Sequence, residues 1–173
     1  MLPSITDIIT RIQQEKEVFG ILLYGGASEA DLEAFEKAKS VKLPEDIKLF
    51  YRFCNGFMSD EDCFRMIPLQ EKVANGHDNY LVKEQDFHIA EFLIYCDIWT
   101  LSIDKDSRKY YIYGDNTMPN APPPENAFAD GTMNELITLT ASFAEFLDRF
   151  LTGGVYDGLY KWRHEIRRIP NGC

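Results

Sequence analysis

The stretch Ser28–Phe57, SEADLEAFEKAKSVKLPEDIKLFYRFCNGF, predicts two consecutive helices. Ser28 and Asp31 have the spacing of a capping box, in which a hydroxyl and a carboxylate satisfy free N–H groups at a helix start. A first helix should therefore span about residues 29–39. Three apolar side chains fall on one face of this helix and predict the side that packs on the core: Leu32, Phe35 and Ala38.

The second helix of this stretch begins at a proline. Pro44 lacks the N–H that would be unsatisfied at a helix start, so it suits the first position of a helix over about 45–54. Asn55 and Gly56 then supply residue types that tolerate a left-handed conformation at the helix end. Apolar residues recur at helical spacing and predict the buried face: Ile47, Phe50, Tyr51 and Cys54.

These residues are similar to a known family. A capped helix, the pattern LPxDxxxFYxxxNG and a short apolar strand near Pro68 occur in that order, and this order resembles the SUKH superfamily. That superfamily contains the yeast Smi/Knr cell-wall assembly regulators and many bacterial toxin-immunity proteins. The resemblance extends from about Gly25 to Leu151. It implies that residues 1–152 form one protein-binding domain and that 153–173 are a C-terminal helical extension of it.

The rest of the chain predicts two more helices and one sheet. Two further Ser–Asp or Ser–Glu pairs repeat the capping-box spacing ahead of apolar runs, and alternating apolar residues indicate strands. The predicted fold is therefore α+β, a single domain with N-terminal helices packed on one mostly antiparallel sheet, followed by C-terminal helices. The additional helices are expected at 6–18 and 142–152, and the strands at 64–68, 91–96, 98–103, 109–114 and 135–139.

Three segments have more local predictions. Met58–Cys63 is expected to be a polar loop, and a break near Asp97 should separate two strands because the inward parity changes there. The tail Val155–Cys173 has helical spacing of apolar and cationic residues, and we expect it to dock as a helix on the acidic body. Nucleic-acid binding by this tail is disfavoured because the chain offers no wider basic surface.

The charge of the chain narrows the choice of partner. With 18 Lys and Arg against 28 Asp and Glu, the net charge is −10, which disfavours nucleic acids and anionic membranes and suits a basic protein surface. The sequence shows neither a signal peptide nor an apolar run near 18 residues, so a cytoplasmic location is expected.

The sequence contains no recognisable motif for binding a metal or a cofactor. The four cysteines form no CxxC pair, and His77 and His88 have no ligand at metal-binding spacing. The acids around 60–62 and 104–106 have a residue type that suits calcium, but a solvated loop and a hairpin turn explain them better. We therefore expect no metal and no cofactor, and we expect Cys54 and Cys96 to be buried free thiols.

No catalytic motif is present, so a non-enzymatic binding protein is the favoured interpretation. The resemblance implies an immunity protein that neutralises a bacterial toxin domain, often a nuclease, whose basic surface would attract an acidic inhibitor. The alternatives are an intracellular scaffold or regulator like the cell-wall assembly proteins, and an enzyme with dispersed carboxylates. Candidate contact residues are the loop acids and sheet tyrosines Asp60, Glu61, Asp62, Asp104, Asp106, Tyr111, Tyr113 and Asp115.

Overall fold

The computed structural model describes residues 2–60, 63–74, 85–93, 97–104, 109–114 and 137–168. The α-helices are α1 (Ile5–Glu15), α2 (Glu29–Lys39), α3 (Glu45–Phe53), α4 (Leu69–Ala74), α5 (Phe143–Gly153) and α6 (Lys161–Arg168), with a π-helical segment (Gly154–Tyr160) between the last two. The strands are β1 (Ile21–Leu23), β2 (Phe57–Ser59), β3 (Arg65–Met66), β4 (Phe87–Phe92), β5 (Asp97–Ile103), β6 (Tyr110–Gly114) and β7 (Ile137–Thr140).

The seven strands form one sheet in chain order, and each strand is antiparallel to the next. This arrangement confirms the predicted α+β fold with a single antiparallel sheet. One row of paired residues crosses the middle strands and faces the helices: Phe57, Met66, Ala90, Trp99 and Gly114. Among the described residues, no helix is long and apolar enough to cross a membrane.

The predicted capping boxes start α1 and α2. The Ser28 hydroxyl accepts the N–H of Asp31 at 3.2 Å, and the Asp31 carboxylate accepts the N–H of Ser28 at 2.9 Å. Ser4 and Asp7 make the same pair of bonds at the start of α1. At α5 the box is only half formed, because the hydroxyl of Ser142 caps the helix while the carboxylate of Glu145 accepts a hydrogen bond from another hydroxyl.

The ends of α2 and α3 differ from the prediction. Pro44 is the N-cap of α3, with φ −57° and ψ 149°, and not its first helical residue. The C-cap residue Cys54 is extended, whereas the left-handed cap occurs at Ser40, the end of α2. Gly56 does have a positive φ of 91°, and a Cβ there would lie 2.3 Å from the carbonyl oxygen of Met66. The glycine therefore permits the close approach of two strands.

The sheet begins earlier in the chain than expected. The segment predicted as a polar loop starts with β2, which pairs with β1 on one side and β3 on the other. Strands of two or three residues are too short to show a period of two, so their pairing comes from tertiary contacts. β4 covers Phe87–Phe92 where 91–96 was expected, and its register shifts between His88 and Ala90.

The predicted break near Asp97 lies between β4 and β5. Leu93, directly after β4, has a left-handed φ of 48°, and β5 starts at Asp97. Trp99, Leu101 and Ile103 occupy alternate positions of β5 and are 1%, 0% and 2% exposed, as expected for the inward face of a strand. Cys96, which is expected to be a buried free thiol, lies outside the described residues.

The core between helices and sheet is aromatic. The rings of Phe64 and Phe150 stack at 4.1 Å between centroids, and Trp99 lies 5.9 Å from Phe146. Phe50 of α3 is fully buried and meets Phe143 of α5 edge-on at 5.1 Å. The two helical faces predicted from spacing are therefore the faces that pack together.

The tail docks through a buried ion pair. Arg163 Nη1 lies 3.2 Å from Asp97 Oδ2, and both side chains are 2% exposed. The same guanidinium lies 4.7 Å from the ring centre of Tyr160. α6 is thus attached to the start of β5, in agreement with the expectation of a helix docking on the acidic body.

Candidate protein-binding surface

The two acidic loops predicted to contact a partner lie at opposite ends of the sheet. Asp60 follows β2, three residues beyond Phe57, and Asp104 follows β5, five residues beyond Trp99 in the opposite direction. At about 3.3 Å per residue they are separated by roughly 25 Å along the strands. Both side chains are exposed, but they do not form one acidic patch.

The Asp104 end contains a groove of about 520 Å³. Its walls alternate in charge, because Glu33 and Asp104 are acidic while Lys37 and Lys42 are basic. Such a mixed lining gives the groove no strong preference for a cationic or an anionic partner. The remaining lining residues are Glu36, Ser40, Val41 and Ile103.

Glu36 is a buried carboxylate of this groove that the sequence pattern did not reveal. It is 4% exposed, whereas Ala38, predicted to be buried on the same helix, is exposed. Its oxygens lie 2.7 Å from Lys42 Nζ and 2.9 Å from Lys48 Nζ, and one accepts the N–H of Leu43 at 2.8 Å.

These contacts determine the charge of Glu36. Burial alone would raise the pKa of its carboxyl, but the two lysines and the Leu43 N–H stabilise the anion and bring the pKa below its ordinary value of 4.5. The carboxylate therefore stays charged and ties α2 to the link that follows it and to α3. This role is structural, since all its partners belong to the same chain.

The two predicted tyrosines lie on the face of the sheet away from the helices. Tyr113 is 2% exposed and its hydroxyl donates a hydrogen bond to Asp86 at 2.9 Å. Tyr111 is half-buried, and its ring lies 5.9 Å from that of Tyr113. Only Tyr111 of this pair offers ring surface to an approaching protein.

At the Asp60 end of the sheet, an exposed carboxylate lies near exposed apolar side chains. Leu22 and Met58 are paired across β1 and β2, and they are 66% and 43% exposed. Val18, in the turn before β1, is 79% exposed. Contiguous exposed apolar surface is a feature of interaction sites. The other predicted contacts, Glu61, Asp62, Asp106 and Asp115, lie outside the described residues.

A buried lysine was also missed by the sequence interpretation. Lys72 is 7% exposed, donates to the hydroxyl of Tyr51, and lies 4.4 Å and 5.1 Å from the ring centres of Tyr51 and Phe87. Burial lowers the pKa of its amine well below the ordinary range and raises that of the Tyr51 hydroxyl. Short polar–apolar patterns do not reveal such a site because α4 is only six residues long.

The potential metal ligands and nucleophiles among the described residues are few. Among them, no group of three or more His, Cys, Asp or Glu side chains is arranged to hold a metal ion. His88 is half-buried, with Nδ1 2.9 Å from the hydroxyl oxygen of Thr100. Cys54 is a buried free thiol, as predicted, and burial raises its pKa to about 12, so it is a poor nucleophile.

The contiguous exposed apolar side chains beside Asp60 are a feature of protein-binding domains. Comparison with protein families agrees, because the model of the SMI1 / KNR4 family (SUKH-1) matches residues 26–149. The chain therefore belongs to the SMI1 / KNR4 family, and the predicted resemblance is confirmed. Membership supports protein interaction rather than catalysis at the level of the family. No curated protein matches the chain.

Proposed function

We propose that this protein is an immunity protein, which binds a basic toxin domain in the bacterial cytoplasm and neutralises it. The observation behind the proposal is that exposed carboxylate and apolar groups adjoin at the Asp60 end of a domain whose net charge is −10. A nuclease presents cationic groups to its phosphate substrate, so an acidic inhibitor is drawn to the same surface. Apolar contacts with Leu22 and Met58 then hold the complex together.

Growth rescue tests the neutralising role directly. The polypeptide encoded beside this gene is expressed under control in a host, with and without this protein. We expect growth arrest by the neighbour alone and recovery when the two are expressed together. Arrest that persists with ample folded protein would refute the toxin-neutralising role and leave the family-level conclusion of protein binding.

Association kinetics test the charge argument. The screening length falls from about 10 Å at 0.1 M salt to about 3 Å at 1 M, so the association rate with the neighbour's product should fall about tenfold or more over this range. Asp60→Asn should slow association at low salt. Asp104→Asn, which removes another exposed acid from the other end, is the matched control and should leave the rate unchanged. Equal rates for both variants at every salt concentration would argue against steering through Asp60.

A further inference from the structure

Among the strands that the structure describes, β1 lies at one edge of the sheet, and its hydrogen bonds show which way its peptide groups point. At its ends, Tyr24 N–H donates to Gly56 C=O at 3.1 Å, and Asp60 N–H donates to Gly20 C=O at 3.2 Å. In an antiparallel ladder, residues whose peptide groups face the partner strand alternate with residues whose groups face away. Leu22 lies two residues from each of these bonded positions and opposite Met58, so its peptide groups also face β2.

The peptide groups of Ile21 and Leu23 consequently face the open edge. The N–H of Ile21 donates to Lys16 C=O at 2.7 Å, so the turn before β1 satisfies that group. The N–H of Leu23 and the carbonyl groups of both residues make no hydrogen bond to a described residue. The opposite edge strand, β7, is contacted by α5 and α6. An edge that presents free N–H and C=O groups is a template for another strand.

Apolar side chains adjoin this open edge. Leu22 and Met58 project from the face of the sheet away from the helices, since their neighbours in sequence, such as Phe57, face the core. Val18 adds apolar surface at the start of β1. Strand addition obtains its affinity from backbone hydrogen bonds and its specificity from contacts to alternate side chains, and this edge supplies both kinds of group.

The charge around the edge indicates what kind of strand would bind. The Glu17 side chain is 89% exposed, and the carboxylate of Asp60 packs against Gly20, directly before β1. Lys16 is the described cation of this turn, and its Nζ lies 3.9 Å from Glu17. A second copy of the chain would bring another net charge of −10 to the same place, which opposes self-pairing.

We propose that the β1 edge is the docking site for an extended segment of the partner protein that alternates apolar with Lys or Arg side chains. The segment pairs with Leu23 and the Ile21 carbonyl and places its apolar side chains beside Leu22 and Met58, while its cations lie in the negative field of the nearby Glu17 and Asp60. This inference deepens the proposed function, because it locates the surface through which a basic toxin domain would be held.

A defined peptide tests the site without knowledge of the partner. The probe is a heptapeptide of alternating Val and Lys with blocked ends, titrated into the ¹⁵N-labelled full chain. We expect amide shift changes centred on Leu23 and hydrogen exchange at its N–H slowed about tenfold or more at saturation. A Val–Glu heptapeptide and a Val–Lys peptide methylated at alternate backbone nitrogens should both fail to bind. Shifts that centre elsewhere, or equal binding of the Val–Glu peptide, would overturn the proposal.

Matched double variants separate the site from general stickiness. Leu22→Lys/Met58→Lys replaces side chains that are 66% and 43% exposed, and Leu2→Lys/Leu49→Lys replaces side chains that are 59% and 44% exposed elsewhere. The first variant should weaken peptide binding about tenfold or more, and the second should leave it unchanged. Far-ultraviolet circular dichroism checks that both are folded.

Two further outcomes would overturn the docking site. Sedimentation showing a dimer that only Leu22→Lys/Met58→Lys dissociates would assign the edge to a second copy of this chain. Growth rescue by that variant at parent strength would mean that the proposed immunity function stands while the partner binds another surface. Failure of rescue by the parent, with the peptide still bound at Leu23, would instead retain the edge site and reject the toxin-neutralising role.

Discussion

Replacing Arg163 with methionine should destabilise the whole domain, although the residue lies in the C-terminal tail. The change leaves the carboxylate of Asp97, whose side chain is 2% exposed, without the guanidinium 3.2 Å away. Removing one partner of a buried ion pair costs about 3–5 kcal/mol, because an uncompensated charge stays out of water. The contact of the guanidinium with the Tyr160 ring, at 4.7 Å, is lost as well.

Urea unfolding followed by circular dichroism measures this cost. With a slope of about 2 kcal/mol/M, the midpoint should fall by roughly 1.5–2.5 M. Asp97→Asn/Arg163→Met should recover much of the loss, because no isolated charge then remains buried. The matched control is Arg149→Met, which removes a half-buried guanidinium that lies 4.9 Å from the Trp162 ring and should cost about 1 kcal/mol or less.

A loss below about 1 kcal/mol for Arg163→Met would refute the reasoning, because the pair would then not be held out of water. A reduced slope with an unchanged midpoint has a different meaning. It would show that the tail separates locally while the rest of the domain stays folded. The tail would then be an appendage and not part of the same cooperative unit.

Three other predictions follow from burial. Phe50→Ala and Phe146→Ala should each lower the free energy of unfolding by about 3–5 kcal/mol in urea, and less than about 1 kcal/mol for both would mean that the helical faces are misassigned. The pKa of Glu36 is lower in the folded state than its ordinary 4.5, so its carboxylate stabilises the fold above pH 4.5 and loses that effect as the pH falls through the folded pKa. The parent should therefore be more stable than Glu36→Gln by a margin that shrinks below pH 4.5. A margin that stays constant with pH would contradict this. At pH 8 a disulfide reagent should modify the exposed Cys63 much faster than the buried Cys54, whose pKa is raised to about 12. Equal rates of modification would show that Cys54 is not buried.

Local signals in the sequence were sufficient for the longer helices. A capping box with an apolar repeat located α2 at Glu29–Lys39 as predicted, and the same kind of signal located α5 within one residue at each end. These signals work because a helix is stabilised by bonds between residues three and four apart in the chain. The family, too, was recognisable from a motif contained in α3 and its flanks.

The sequence also determined the net charge and most of the aromatic core, because both depend on residue type and spacing alone. It did not determine which charged side chains are buried. Charged residues such as Glu36, Lys72 and Arg163 usually lie on the solvent side of a helix. Their burial here depends on elements that are distant in the chain. A buried charge is tolerated only where such partners supply hydrogen bonds or an opposite charge, so the tertiary structure alone could identify these three.

The location of the candidate partner surface was likewise decided by tertiary structure. β1 and β2 have three residues each, too few for a pattern of alternation, and they become strands only through pairing with each other and with β3. That pairing makes β1 an edge and brings Leu22 beside Met58. The antiparallel order of the whole sheet places Asp60 and Asp104 at opposite ends. The sequence did not show this, because strand direction and register depend on contacts that composition and local spacing do not encode.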